Sequence, residues 1–206
     1  MQNGERRRVV EVGKNPIKSG ENIIEEWGSV IRTFFGCFNG DISSVKIPEY
    51  LEEFSDAIVM PGDITCQRLY EKAREVFGCD TSVDLMGANF DRVISSSRPR
   101  LPYAARIRKQ NIHCSCGICG CDVGETLMIS DITLPEFFLL ILRHYKEFGS
   151  LSDEKVATIC GGSYLSNGGI PVARSTEKGI FVSWTPGFRK FSNNSARFRK
   201  VVINKC

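Results

Sequence analysis

The stretch from Leu134 to Phe148 strongly constrains what this chain can fold into. Apolar side chains sit on most sides of its helical wheel: Leu134, Phe137, Phe138, Leu139, Leu140, Ile141, Leu142, Tyr145 and Phe148. A helix with so little polar surface belongs in the middle of a core. Its start is marked by Thr133-Leu-Pro-Glu136, a capping box in which the Thr133 hydroxyl accepts from the Glu136 N–H while the Glu136 side chain reaches back. Gly149 closes it. A chain of 206 residues, 42% hydrophobic and 25% charged, is long enough and apolar enough to surround such a helix.

The rest of the chain divides by periodicity. Ile23, Ile24, Trp27, Val30, Ile31, Phe34 and Phe35 recur at helical spacing and predict a helix over 21–35, ended by Gly36. A second helix is predicted from Pro48 to about Ile58. A third follows Asp63 as N-cap, buries Leu69, Tyr70, Ala73, Val76 and Phe77, and stops at Gly78. A fourth, weakened by Gly87, is predicted from Ser82 to Ile94. The breaker-rich Ser95–Pro102 is the best internal boundary. Tyr103–Ile112 reads as a strand or a short helix, and Thr126–Ser130 as a strand. Ser152 caps a short helix ending at Gly161-Gly162. Ile170–Ser175 and Ile180–Thr185 read as a β-hairpin around Thr176–Gly179, and Ala196–Ile203 as a last strand. The expected class is α+β: a helical domain over 19–98, then a zinc-binding α+β domain over 99–206 with a basic sheet, or both as one continuous domain.

Ile112–Asp122 holds four of the nine cysteines, Cys114, Cys116, Cys119 and Cys121, and one of the two histidines, His113. Cys116-Gly-Ile-Cys119-Gly120 has the form of a zinc knuckle. Two thiolates two residues apart can face one ion, and the glycine lets backbone N–H groups turn toward the sulfurs. Cys116 and Cys119 supply half a tetrahedron, and two of Cys114, Cys121, His113 and Cys160 would complete it. The expected cofactor is zinc. A thioredoxin-type pair would need a helix after the first cysteine, and Gly120–Gly124 does not make one. Ferredoxin and deaminase spacings are not met.

Net charge is only +3, yet eight of the basic residues fall between Arg174 and Cys206 against one acid, Glu177. Trp184 and Phe188 are interleaved there with Arg189, Lys190, Arg197, Arg199 and Lys200. A second basic run, including Arg106, Arg108 and Lys109, leads into the cysteines. Aromatic faces that stack on unpaired bases, beside cations that neutralise phosphate, suit single-stranded nucleic acid. The expected partner is RNA rather than DNA. No run approaches the ~18 apolar residues that cross a bilayer, so no membrane partner is expected. The N-terminal residues lack an apolar segment of the signal-peptide kind, which places the protein in the cytoplasm or nucleus, where thiols stay reduced. Small basic cysteine-bearing chains of this kind are frequent among viral regulatory and accessory proteins.

The resulting expectation is a non-enzymatic zinc-stapled protein that contacts RNA. Two rivals stand beside it. One is a protein–protein adaptor that docks partners through the helical half. The other is a thiol enzyme of the cysteine-peptidase kind, using Cys160 and His144.

Overall fold

Three helices and three sheets make up the described part of a computed structural model of the chain. The description covers residues 19–36, 41–54, 56–78, 90, 93–95, 98–99, 102–108, 121–122, 126–151, 157–176, 179–185 and 196–205. The class is α+β.

Helix α1, Gly20–Phe35, starts where the Ser19 hydroxyl accepts from Asn22 N–H and buries Ile23, Trp27, Val30, Ile31 and Phe35. Residues 48–54 and 56–58 differ from expectation, because they hold no helix and lead instead into strand β1, Asp56–Met60. Ala57 to Met60 are all buried, and a short run buried on every side carries no period that separates strand from helix. Trp27 ties the two elements together, its indole N–H donating to Ala57 O at 2.8 Å. Helix α2, Cys66–Phe77, is capped by Thr65 rather than Asp63, with the hydroxyl accepting from Arg68 N–H.

The largest sheet has five strands in the order β1, β3 (Tyr103–Ile107), β11 (Lys200–Asn204), β5 (Leu127–Asp131), β4 (Cys121–Asp122), and every neighbouring pair is antiparallel. A second sheet orders β10 (Ala196–Phe198), β6 (Ala157–Ile159), β8 (Ile170–Thr176) and β9 (Gly179–Thr185). Strands β8 and β9 pair antiparallel from Ile170↔Thr185 to Thr176↔Gly179. Strand β6 replaces the C-terminal part of the helix expected after Ser152, since Ala157-Thr-Ile159 is buried throughout and pairs on both edges. Residues 196–203 form two strands in two different sheets, not one. A separate two-stranded sheet pairs β2 (Ile94–Ser95) with β7 (Ser163–Tyr164).

Helix α3, Leu134–Phe148, lies where its composition requires. Leu134, Phe137, Phe138, Leu139 and Leu142 are fully buried, both halves of the capping box are formed, and Gly149 ends the helix in the left-handed region. One apolar cluster runs from Ile23 through α3 to Ile203. That core, and the sheet in which β1 pairs with β3, both cross the 98/99 boundary expected from sequence. Among the described residues, no helix is long and apolar enough to cross a membrane.

Candidate nucleic-acid interface

The antiparallel order of the large sheet decides where the cysteine stretch is attached. Strands β3, β11, β5 and β4 alternate in direction, so β3 ends and β4 begins at the same end of the sheet. Residues 109–120 connect them across three strand spacings, about 14 Å. Arg108 sits at the exit and donates its backbone N–H to Lys200 O at 3.0 Å. Cys121, opposite Ile129, is the return point. His113, Cys114, Cys116 and Cys119 lie outside the described residues, as do Lys109, Phe188, Arg189 and Lys190, while Cys121 and Arg197 are placed as strand positions. Among the described residues, no three His, Cys, Asp or Glu side chains converge as a metal site.

Arg199 stands at the same end. The chain leaves β10 in one sheet and enters β11 in the other through this single residue, whose carbonyl accepts from Ile132 N–H at 2.8 Å. It borders a cleft of about 340 Å³ between that end of the sheet and the C-terminal half of α3. Ile107, Leu140 and Ile141 give the cleft an apolar floor, and Arg108, Arg143, His144, Glu147, Phe148 and Asp56 complete its walls. Arg143 is fixed there, with Nε 2.7 Å from Glu26 Oε1, Nη1 2.7 Å from Asp56 Oδ1, and the guanidinium over the Trp27 ring. Burial by itself would lower its pKa, but the charges of Asp56, Glu26 and Glu147 outweigh burial and raise it. Arg108 pairs with Glu53 at 2.6 Å and lies over the Phe54 ring.

Other basic and aromatic residues of the expected interface face inward. Arg106 is buried, donates from Nε to Pro48 O at 2.6 Å and lies over Tyr50, and burial lowers its pKa. Lys200 is 7% exposed with its ammonium 2.7 Å from Asp131 Oδ1. Trp184 is half-buried and packs against Phe90.

Cys160 is fully buried in the main core, its thiol 3.9 Å from Thr158 O, toward which it donates. Its carbonyl accepts from Ser163 N–H, and Ser163 Oγ accepts from Leu134 N–H at the start of α3. His144 is ten residues further along that helix, about 15 Å away at the helical rise. Thiol and imidazole are thus not brought together.

Sequence reasoning missed the strongest electrostatic feature, a buried network under the start of α3. Glu136 is fully buried and grips the Arg98 guanidinium with both oxygens, at 2.8 and 2.9 Å, while accepting from Tyr103 O–H at 2.9 Å and Thr133 N–H at 2.7 Å. Burial would raise the Glu136 carboxyl, but the Arg98 charge and these hydrogen bonds outweigh it and hold it low. Burial, seconded by the Glu136 charge, pushes Tyr103 well above its usual range, so it remains a donor. Burial also raises Asp131, only partly offset by Lys200 and Arg98. The available signal was Glu136 itself, an acid inside an apolar run, which needs a cation from elsewhere.

Comparison of the chain with protein-family models, curated proteins and solved structures finds no match.

Proposed function

We propose that the chain is a non-enzymatic zinc-binding protein that contacts single-stranded RNA at the end of the five-stranded sheet. The observation that carries this reading is the strand register. It brings Arg108 and Cys121, the described residues on either side of 109–120, to the end of the sheet where Arg199 stands. In this reading Cys116 and Cys119 hold zinc with two of Cys114, Cys121 and His113, and Cys160 is left to the core. The ion is structural. It pins residues 109–120 across the end of the sheet so that Lys109, with Arg189, Lys190 and Arg197 from the chain around β10, can meet phosphate beside Arg108 and Arg199.

Purified protein under reducing conditions should carry about one zinc per chain, and Cys116→Ser/Cys119→Ser should lose it. Affinity for a short single-stranded RNA should fall about tenfold or more across a fourfold rise in salt, because each phosphate contact releases counterions. Metal-free native protein would remove the staple. Binding indifferent to salt would remove the phosphate contacts.

A further inference from the structure

The cleft beside Arg199 combines features that no packing need explains. Phe148, the last residue of α3, is 61% exposed, and its ring lies 4.6 Å from that of His144 at the cleft wall. Most exposed apolar side chains are incidental, but this one borders an apolar floor and stands among arginines. Of these, Arg143 is committed to Glu26 and Asp56. Arg108 is not so held, because its partner Glu53 is itself 65% exposed and an ion pair of that kind contributes little. The acids facing the cleft are Asp56, one of whose oxygens is taken up by Arg143 and Ala57 N–H, and Glu147, which is exposed on the rim. The lining holds three arginines and two carboxylates, while Glu26 and Glu53 pair with Arg143 and Arg108 from outside it.

We propose that this cleft seats one nucleotide of a single-stranded RNA, its base against Phe148 and His144 and its phosphate against Arg199 and Arg108. The proposal rests on the RNA-binding reading above and assigns it a subsite. A planar apolar face joined to an anion is what an aromatic pair beside guanidinium groups complements. The volume, about 340 Å³, lies at the small end of ligand sites and suits one nucleotide, not a duplex. Arg199 is the natural phosphate contact because it borders the cleft at the sheet-to-sheet crossing, where its backbone is fixed.

The test uses the full chain and fluorescence anisotropy with a labelled single-stranded RNA and a matched strand carrying abasic sites. Phe148→Ala/His144→Ala should weaken binding of the intact strand about tenfold and leave the abasic strand nearly unchanged, because only stacking is lost. Phe148→Tyr should bind as the native chain does. Arg199→Gln should weaken both strands and reduce the salt slope by about 0.7, the share of one phosphate contact. Native binding of the intact strand by the Phe148→Ala/His144→Ala chain, or equal loss on both strands, overturns the subsite and leaves the RNA-binding reading standing. Failure of the native chain to bind RNA at all overturns both. Unfolding midpoints of the variants, measured alongside, separate lost contact from lost fold.

Discussion

Glu136→Gln should lower the stability of the protein by about 3 kcal/mol, because removing one partner of a buried ion pair strands the other charge. The side chains of Arg98 and Glu136 are 3% and 0% exposed. Glutamine keeps the shape, but its single amide oxygen can accept from Thr133 N–H or Tyr103 O–H and not from both, since these meet different carboxylate oxygens, and it offers Arg98 a neutral amide where two carboxylate oxygens stood. Arg98→Met/Glu136→Gln should therefore be more stable than the sum of the two single losses predicts, since no charge is left buried. Urea unfolding of the four proteins checks this. Strict additivity, or a loss under about 1 kcal/mol for Glu136→Gln, would sink the argument. The pH dependence has a definite sign. Glu136 is held below its ordinary value of 4.5, so its contribution is present above that value and lost as pH falls through the lower folded value. The native protein should thus lose stability on acidification below about 4.5, and Glu136→Gln should lose less over the same range. The raised Asp131 works against this trend, its contribution being present at low pH and lost as pH rises through its folded value.

Gly162→Ala should cost about 2–3 kcal/mol through overpacking at the same network. A Cβ on Gly162 would stand 2.3 Å from Asp131 O, 3.0 Å from Thr133 Cγ2 and 3.2 Å from Arg98 Nη2. The first of these is backbone, and it cannot withdraw without disturbing β5, the Thr133 cap and the Arg98 hydrogen bond to the same carbonyl. Gly28→Ala is the contrasting case. Gly28 lies inside α1, where the nearest atoms to a Cβ would be side-chain ones at ordinary contact distance, Arg32 Nη1 at 3.4 Å and Ile42 Cδ1 at 3.7 Å. It should stabilise by about 0.5–1 kcal/mol, the helical advantage of alanine. Thermal unfolding of both variants checks the pair, and a harmless Gly162→Ala would mean that the turn can move away from β5.

Local signals in the chain were legible where one residue pattern decides one element. The stripe from Ile23 to Phe35 gave α1, Thr133-x-x-Glu136 gave the start of α3, and Thr126–Ser130 gave β5 almost to the residue. Ala57–Ile58 and Ala157–Ile159 carry helical expectations because both belong to short apolar runs buried on every side, where the periods of helix and strand cannot be told apart. Charge showed where cations cluster in sequence but not which way they point. Arg106 and Lys200 turn inward, whereas Arg108 and Arg199 border a cleft.

By itself, then, the sequence determined the α+β class, the central place of the Leu134–Phe148 helix, and the points where α1 and α3 start and stop, because these depend on neighbours within a few residues. The tertiary structure alone decided which charges meet. Arg98 finds Glu136 thirty-eight positions away, and Asp56, Arg108, His144 and Arg199 share one cleft only because strand register and the crossing between sheets deliver them there. Such pairings follow from long-range packing, in which a buried acid accepts whichever cation the fold brings within reach, and no spacing along the chain encodes that choice.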